Sequence, residues 1–221
     1  MLTDLDMALR CLRAGSADEA LRAAVRETAE ALEKKVTPRW VWRAFDLNRT
    51  ADGGIGFTSA ALTLTGDLAE RMLGDCERAA LLVCTLGAGY DALFRAWEKR
   101  DMARAVIMDA CGSALTEAGC DGAEEEIRVN CSGWHLTDRF SPGYGDLPLG
   151  LQKALVRAAD AERRLGVTVT ETDLLVPVKT VTAVIGLSRR PQPARIRGCG
   201  YCALRESCVY RKEGSNCGAS A

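Results

Sequence analysis

Ala79-Ala80-Leu81-Leu82-Val83-Cys84-Thr85-Leu86 is a run of eight residues without a charge, and Gly87-Ala88-Gly89 follows it directly. A strand with one face in water alternates polar and apolar residues. An unbroken apolar run of this length predicts a strand covered on both faces. It is far too short to cross a bilayer. The glycines mark the exit from the strand, and a helical pattern follows over roughly Asp91–Glu126, broken near Lys99-Arg100-Asp101. A sheet strand feeding long helices sets the fold class.

Working outward, residues 4–35 read as helix, with Leu5, Ala8, Leu9 and Leu12 at helical spacing and a break at Ala14-Gly15-Ser16. Ser16 followed by Glu19 resembles a capping box at the second start. Thr37-Pro38 ends this segment. Trp40–Leu64 reads as strands separated by the Asp52-Gly53-Gly54 turn, and Gly66–Leu73 as a short helix. Beyond the long helices, 130–149 is irregular. Leu151–Arg164 is an amphipathic helix that Gly166 closes. Val167–Thr170 and Val181–Leu187 are rich in β-branched residues and read as strands. From Arg189 onward Pro, Gly, Arg and Cys dominate. The expectation is an α+β fold: one domain with a mixed or antiparallel sheet and long helices, plus a small Cys-rich metal-binding tail. The divisions are an N-terminal helical segment over 1–36, the main domain over 37–190 and the tail over 191–221.

Composition narrows the function classes. Of 221 residues, 48% are hydrophobic, enough for a core, while only 5% are aromatic, so that core rests on Ala, Leu and Val. With 29 basic and 30 acidic residues there is no basic excess to neutralise a phosphate backbone, which argues against nucleic acid. The start lacks a basic, then apolar, leader pattern, and no apolar stretch reaches spanning length. The expected setting is cytoplasmic, away from membranes.

Four constellations can carry chemistry. Arg139-Phe140-Ser141-Pro142-Gly143-Tyr144-Gly145-Asp146 is a turn in which Arg139 offers a fork for a carboxylate and Tyr144 a stacking face; alone it reads as a surface turn. Glu117 sits among small residues, where a ligand ammonium can approach; alone it reads as an exposed helix glutamate, and Glu124-Glu125-Glu126 as a solvated helix end. Thr85-Leu86-Gly87-Ala88-Gly89 lies at a strand-to-helix junction without the full Gly-x-Gly-x-x-Gly pattern, so tight packing explains it better than anion binding. Cys199, Cys202, Cys208 and Cys217 supply four thiolates within 19 residues. One close pair followed by wider spacings suits a [4Fe–4S] cluster, with zinc as the alternative. The other six cysteines read as small buried hydrophobes, and His135, the only histidine, as a packing residue beside Trp134.

Several of these pieces occur in one order: Thr85-Leu86-Gly87, the Asp109–Glu126 helix, Arg139-x-x-Pro142-Gly143-Tyr144, Asp146-Leu147-Pro148, Leu165–Thr172 and Pro177–Gly186. Over roughly residues 40–190 this order resembles the activation domain of vitamin B12-dependent methionine synthase, and the tail resembles that of stand-alone anaerobe forms. The resemblance implies a module that binds S-adenosylmethionine and supports reductive methylation of cob(II)alamin on a partner. By position, Arg139 takes the donor's carboxylate, Glu117 its ammonium, and Tyr144 with Pro142 and Gly143 shapes the adenosyl pocket. The family's acidic contact from the N-terminal part has no clear counterpart here, and Leu187-Ser188-Arg189-Arg190 stands where the family carries a tyrosine. The implied partner is a cobalamin-dependent methionine synthase lacking its own activation domain, or another corrinoid protein, with ferredoxin or flavodoxin as electron donor. The alternative is a non-catalytic adaptor that docks corrinoid proteins and carries a structural metal site.

Overall fold

The computed structural model describes residues 2–14, 17–192, 196 and 206. The predicted tail ligands Cys199, Cys202, Cys208 and Cys217 lie outside the described residues, as does Ser16 of the expected capping box. Asp18 caps that helix instead, its carboxylate accepting from the Leu21 amide.

The opening run becomes β4 (Arg78–Thr85), in which every residue from Ala79 onward is buried. It pairs antiparallel with β1 (Arg39–Arg49) on one edge and β8 (Thr180–Ser188) on the other. With β2 (Ile55–Phe57), β3 (Thr63–Leu64) and β5 (His135–Leu136) these strands form one six-stranded sheet in the order β3-β2-β1-β4-β8-β5. Every pairing in it is antiparallel. The unbroken apolar pattern therefore reports two covered faces rather than a parallel sheet. Ala79, Leu81 and Val83 enter one core, while Ala80, Leu82 and Cys84 enter another. Each buried Leu or Val contributes about 1.5–3 kcal/mol over its exposed state.

The first of these faces is covered by α3 (Asp67–Leu73), α6 (Gln152–Ala158) and α7 (Ala161–Leu165). The predicted single helix over 151–164 is broken, because Asp160 takes a left-handed conformation between α6 and α7. The second face is covered by the C-terminal half of α5 (Met102–Asn130), through Cys120, Ala123 and Ile127. Its N-terminal half builds a third core with α1 (Leu5–Cys11), α2 (Glu19–Glu33) and α4 (Gly87–Glu98). Asp101 separates α4 from α5, its carboxylate accepting from the Arg104 amide. A small separate ribbon pairs β6 (Thr168–Val169) with β7 (Leu175–Val176). The pattern foretold β6 but not β7.

The six scattered cysteines are mostly the expected small hydrophobes. Cys84, Cys111, Cys120 and Cys131 are buried, and burial pushes the Cys111 thiol up to about 12. Cys76 is half-buried, and Cys11 is exposed. His135 also departs from expectation: it lies exposed on edge strand β5, paired in register with Ser188, while Trp134 packs beneath the Arg189 guanidinium, 3.9 Å from the ring centre.

Candidate functional site

Three devices hold the turn that carries Arg139. Phe140, fully buried, exchanges two backbone hydrogen bonds with Val184 of β8, at 3.0 and 2.8 Å. Gly143, at φ +91°, donates to the Leu147 carbonyl and closes the turn tightly. Asp146 then reaches α3, accepting from the amides of Asp67 at 2.6 Å and Leu68 at 3.0 Å. Those amides are helix-start donors with no partner inside their own helix. The Leu68 and Asp67 amides hold the Asp146 carboxyl below the usual aspartate range. The approach is close enough that a Cβ on Gly66 would lie 2.4 Å from the Asp146 Oδ2.

Since Phe140 points into one core, its neighbour Arg139 points to the opposite face, towards α5. Its Nη2 donates to Glu117 at 2.6 Å, and its Nη1 to Asp121 at 2.6 Å and Glu124 at 2.9 Å. The Arg139 side chain is only 10% exposed. Burial opposes its charge, but the hydrogen bonds to Glu117 and Asp121 outweigh burial, and the pKa rises. Charge-assisted hydrogen bonds of this kind contribute about 1.5–3 kcal/mol each when shielded. Glu124, at 16% exposure, is shielded, whereas water screens Asp121, at 66%.

Two predicted site residues, Arg139 and Glu117, thus meet directly. Asp121 and Glu124 join them, and the reading of Glu124-Glu125-Glu126 as a solvated helix end is corrected. Glu126 is engaged too, accepting from the indole N–H groups of Trp40 at 2.7 Å and Trp42 at 2.9 Å. The signal was present: Glu117, Asp121 and Glu124 stand at i, i+4 and i+7, on one helix face. Tyr144, at 50% exposure, leaves its ring open to solvent beside the Pro142-Gly143 turn. Beneath the cluster, a hydrogen bond with Cys84 and burial push the Cys120 thiol up, so it is inert.

The Thr85-Leu86-Gly87 junction packs, as expected. Gly87 takes φ +75° and donates to the Thr85 hydroxyl at 3.0 Å, which also contacts the Thr180 hydroxyl at 2.7 Å. Leu86 donates to the Lys179 carbonyl, and Asp91 accepts from Val178, so this motif ties the start of α4 to the entry of β8. Among the described residues no group of three or more His, Cys, Asp or Glu side chains has the geometry of a metal site, and no helix is long and apolar enough to cross a membrane.

These features define an α+β fold in which one antiparallel sheet carries helices on both faces and an arginine loop packs against the longest helix. Among solved structures, the chain is similar to the crystal structure of the MetH reactivation domain bound to AdoHcy. The TM-score is 0.67 at 16% identity, over 98% of this chain and 82% of that one. At that identity the likeness is one of fold. The sequence matches no protein-family model and none of the curated proteins.

Proposed function

We propose that the chain binds S-adenosylmethionine and acts in trans on a corrinoid-bearing partner, supporting reductive methylation that restores its active state. The observation that carries this reading is the Arg139–Glu117 pair, set in a fold shared with a domain solved with AdoHcy. A guanidinium and a carboxylate side by side match the two charges of an amino-acid tail. Arg139 receives the donor's carboxylate in place of Glu117, and the released Glu117 turns to the ammonium. Asp121 and Glu124 keep Arg139 oriented throughout. The half-exposed Tyr144 ring and the Pro142-Gly143 backbone shape the adenosyl side. The bound donor supplies the methyl group, while the protein supplies binding and orientation. The partner fitting this role is a cobalamin-dependent methionine synthase lacking its own activation domain, or another corrinoid protein. The Cys199, Cys202, Cys208 and Cys217 thiolates hold a [4Fe–4S] cluster, with zinc as the alternative, which metal analysis of anaerobically purified protein distinguishes.

Titration calorimetry with S-adenosylmethionine tests the reading. Binding is expected in the wild type, weakened about 10–100-fold in Glu117→Gln through the lost charge-assisted hydrogen bond. Glu117→Gln is the informative variant because Asp121 and Glu124 still hold Arg139, so the fold survives. No heat with the wild type, or equal affinity in the variant, sinks the proposal.

One observation favours a second reading, a docking adaptor that uses no methyl donor. Both terminal nitrogens of Arg139 are already engaged by carboxylates of α5, which is what a purely structural arginine looks like. Co-purification with a corrinoid protein, without S-adenosylmethionine binding, decides for it.

A further inference from the structure

On the sheet face opposite the Arg139 cluster, a cleft of about 420 Å³ opens between β1, the β2–β3 turn and α6. Arg43, Lys153 and Arg157 line it, with Phe45 and Ala154 as its apolar floor and Ser59 on its rim. Among the described residues, none of the three cations is within ion-pair distance of a carboxylate. Asp160 lies near enough for Arg43 to help lower its pKa, but Arg163 takes its oxygens. Lys153 and Arg157 stand at i and i+4 on α6, an arrangement that by itself destabilises a helix through like-charge repulsion. Asp160 is committed to Arg163 and Asp173 lies beside Gly150 at the cleft, so the three cations leave an excess of positive charge that an anion would complete.

The walls are already set for a ligand. Arg43 donates to the Ala158 carbonyl at 2.9 Å, and its guanidinium lies 5.2 Å from the centre of the Phe45 ring. It therefore presents a fixed plane over the buried Phe45 ring rather than a free side chain. Ser59 is held at φ +65°, an unfavourable conformation for a residue with a side chain. The surrounding turn is fixed by hydrogen bonds from Phe57 to Leu62 and from Ala60 to Phe57. Strain of this sort persists where the surroundings enforce it, and such residues gather at binding sites.

We propose that this cleft binds a phosphorylated small molecule with a planar apolar body, of the nucleoside phosphate class. Lys153 and Arg157 take the phosphates, and the planar body lies against the Arg43 guanidinium and Ala154. The site is separate from the one proposed for S-adenosylmethionine and stands whether or not that reading does.

The test is calorimetry on the full chain at low salt, with ADP, inorganic pyrophosphate and adenosine as probes. One ADP is expected per chain, pyrophosphate binding more weakly and adenosine giving no heat. The Lys153→Ala/Arg157→Ala double variant is expected to weaken ADP at least tenfold, while Glu117→Gln, which keeps Arg139 in place, leaves ADP binding unchanged. Both replaced side chains are exposed, and the circular dichroism spectrum confirms the fold; Lys153→Glu is the second variant, with the same expected loss. The proposal is overturned by any of four results: no heat with millimolar ADP, wild-type affinity in the double variant, pyrophosphate as tight as ADP, or loss of ADP binding in Glu117→Gln.

Discussion

Asp146 is a single side chain joining two regions far apart in the chain, and its effect depends on pH. Its carboxylate accepts the Asp67 and Leu68 amides, which lowers its pKa in the folded protein. Its stabilising contribution is fully present above the unfolded value, about 3.9, and is lost as pH falls through the lower folded value. Asp146→Asn is therefore expected to lower the melting temperature at neutral pH. The gap to wild type should close on acidification below that window, which thermal melts across pH measure. At this scale the sequence was partly legible. Arg139, Glu117 and Tyr144 could be singled out from residue type and order, but Asp121 and Glu124 could not be joined to Arg139. Their shared helix face is visible in the spacing, yet the arginine arrives from another segment, and a one-dimensional pattern does not say which face meets it.

At the scale of elements, the close fit of α4 against α5 depends on Gly112. A Cβ there would lie 2.6 Å from the Tyr90 ring and hydroxyl, and that ring is buried, its hydroxyl donating to the Met108 carbonyl at 3.2 Å. Gly112→Ala gains about 1 kcal/mol in helix propensity. It incurs overpacking of about 1–3 kcal/mol, since neither backbone nor a fully packed ring can yield freely. Net destabilisation is expected by urea denaturation; a more stable variant would show that the ring moves aside. Long elements such as β4 and α5 were readable because burial forces a sustained pattern on many residues. The break at Asp160 was not, because Ala158, Ala161 and Leu165 remain apolar at helical spacing across it while one backbone conformation interrupts the helix.

For the whole molecule, the N-terminal helices share a core with the rest. Leu9, Val25 and Leu32 pack with Tyr90, Met108 and Leu115 of α4 and α5. Removing residues 1–36 would bare that surface, so the shortened chain is expected to melt at lower temperature and to bind the hydrophobic dye ANS. A fragment as stable as the full chain would show that 37–190 stands alone.

The central position of β4 has a consequence for the order of assembly. Its partners are reached at very different times: β1 is nearby in the chain, whereas the Thr85–Thr180 contact with β8 joins residues 95 positions apart. During synthesis β1 and β4 can pair early, leaving the other edge of β4 open until β8 emerges from the ribosome. That edge is an apolar strand with unmet hydrogen bonds, the kind of surface on which nascent chains adhere to one another. The last strand among the described residues is thus what covers the open edge of β4 against aggregation, and a chain stalled before residue 180 carries the hazard in full.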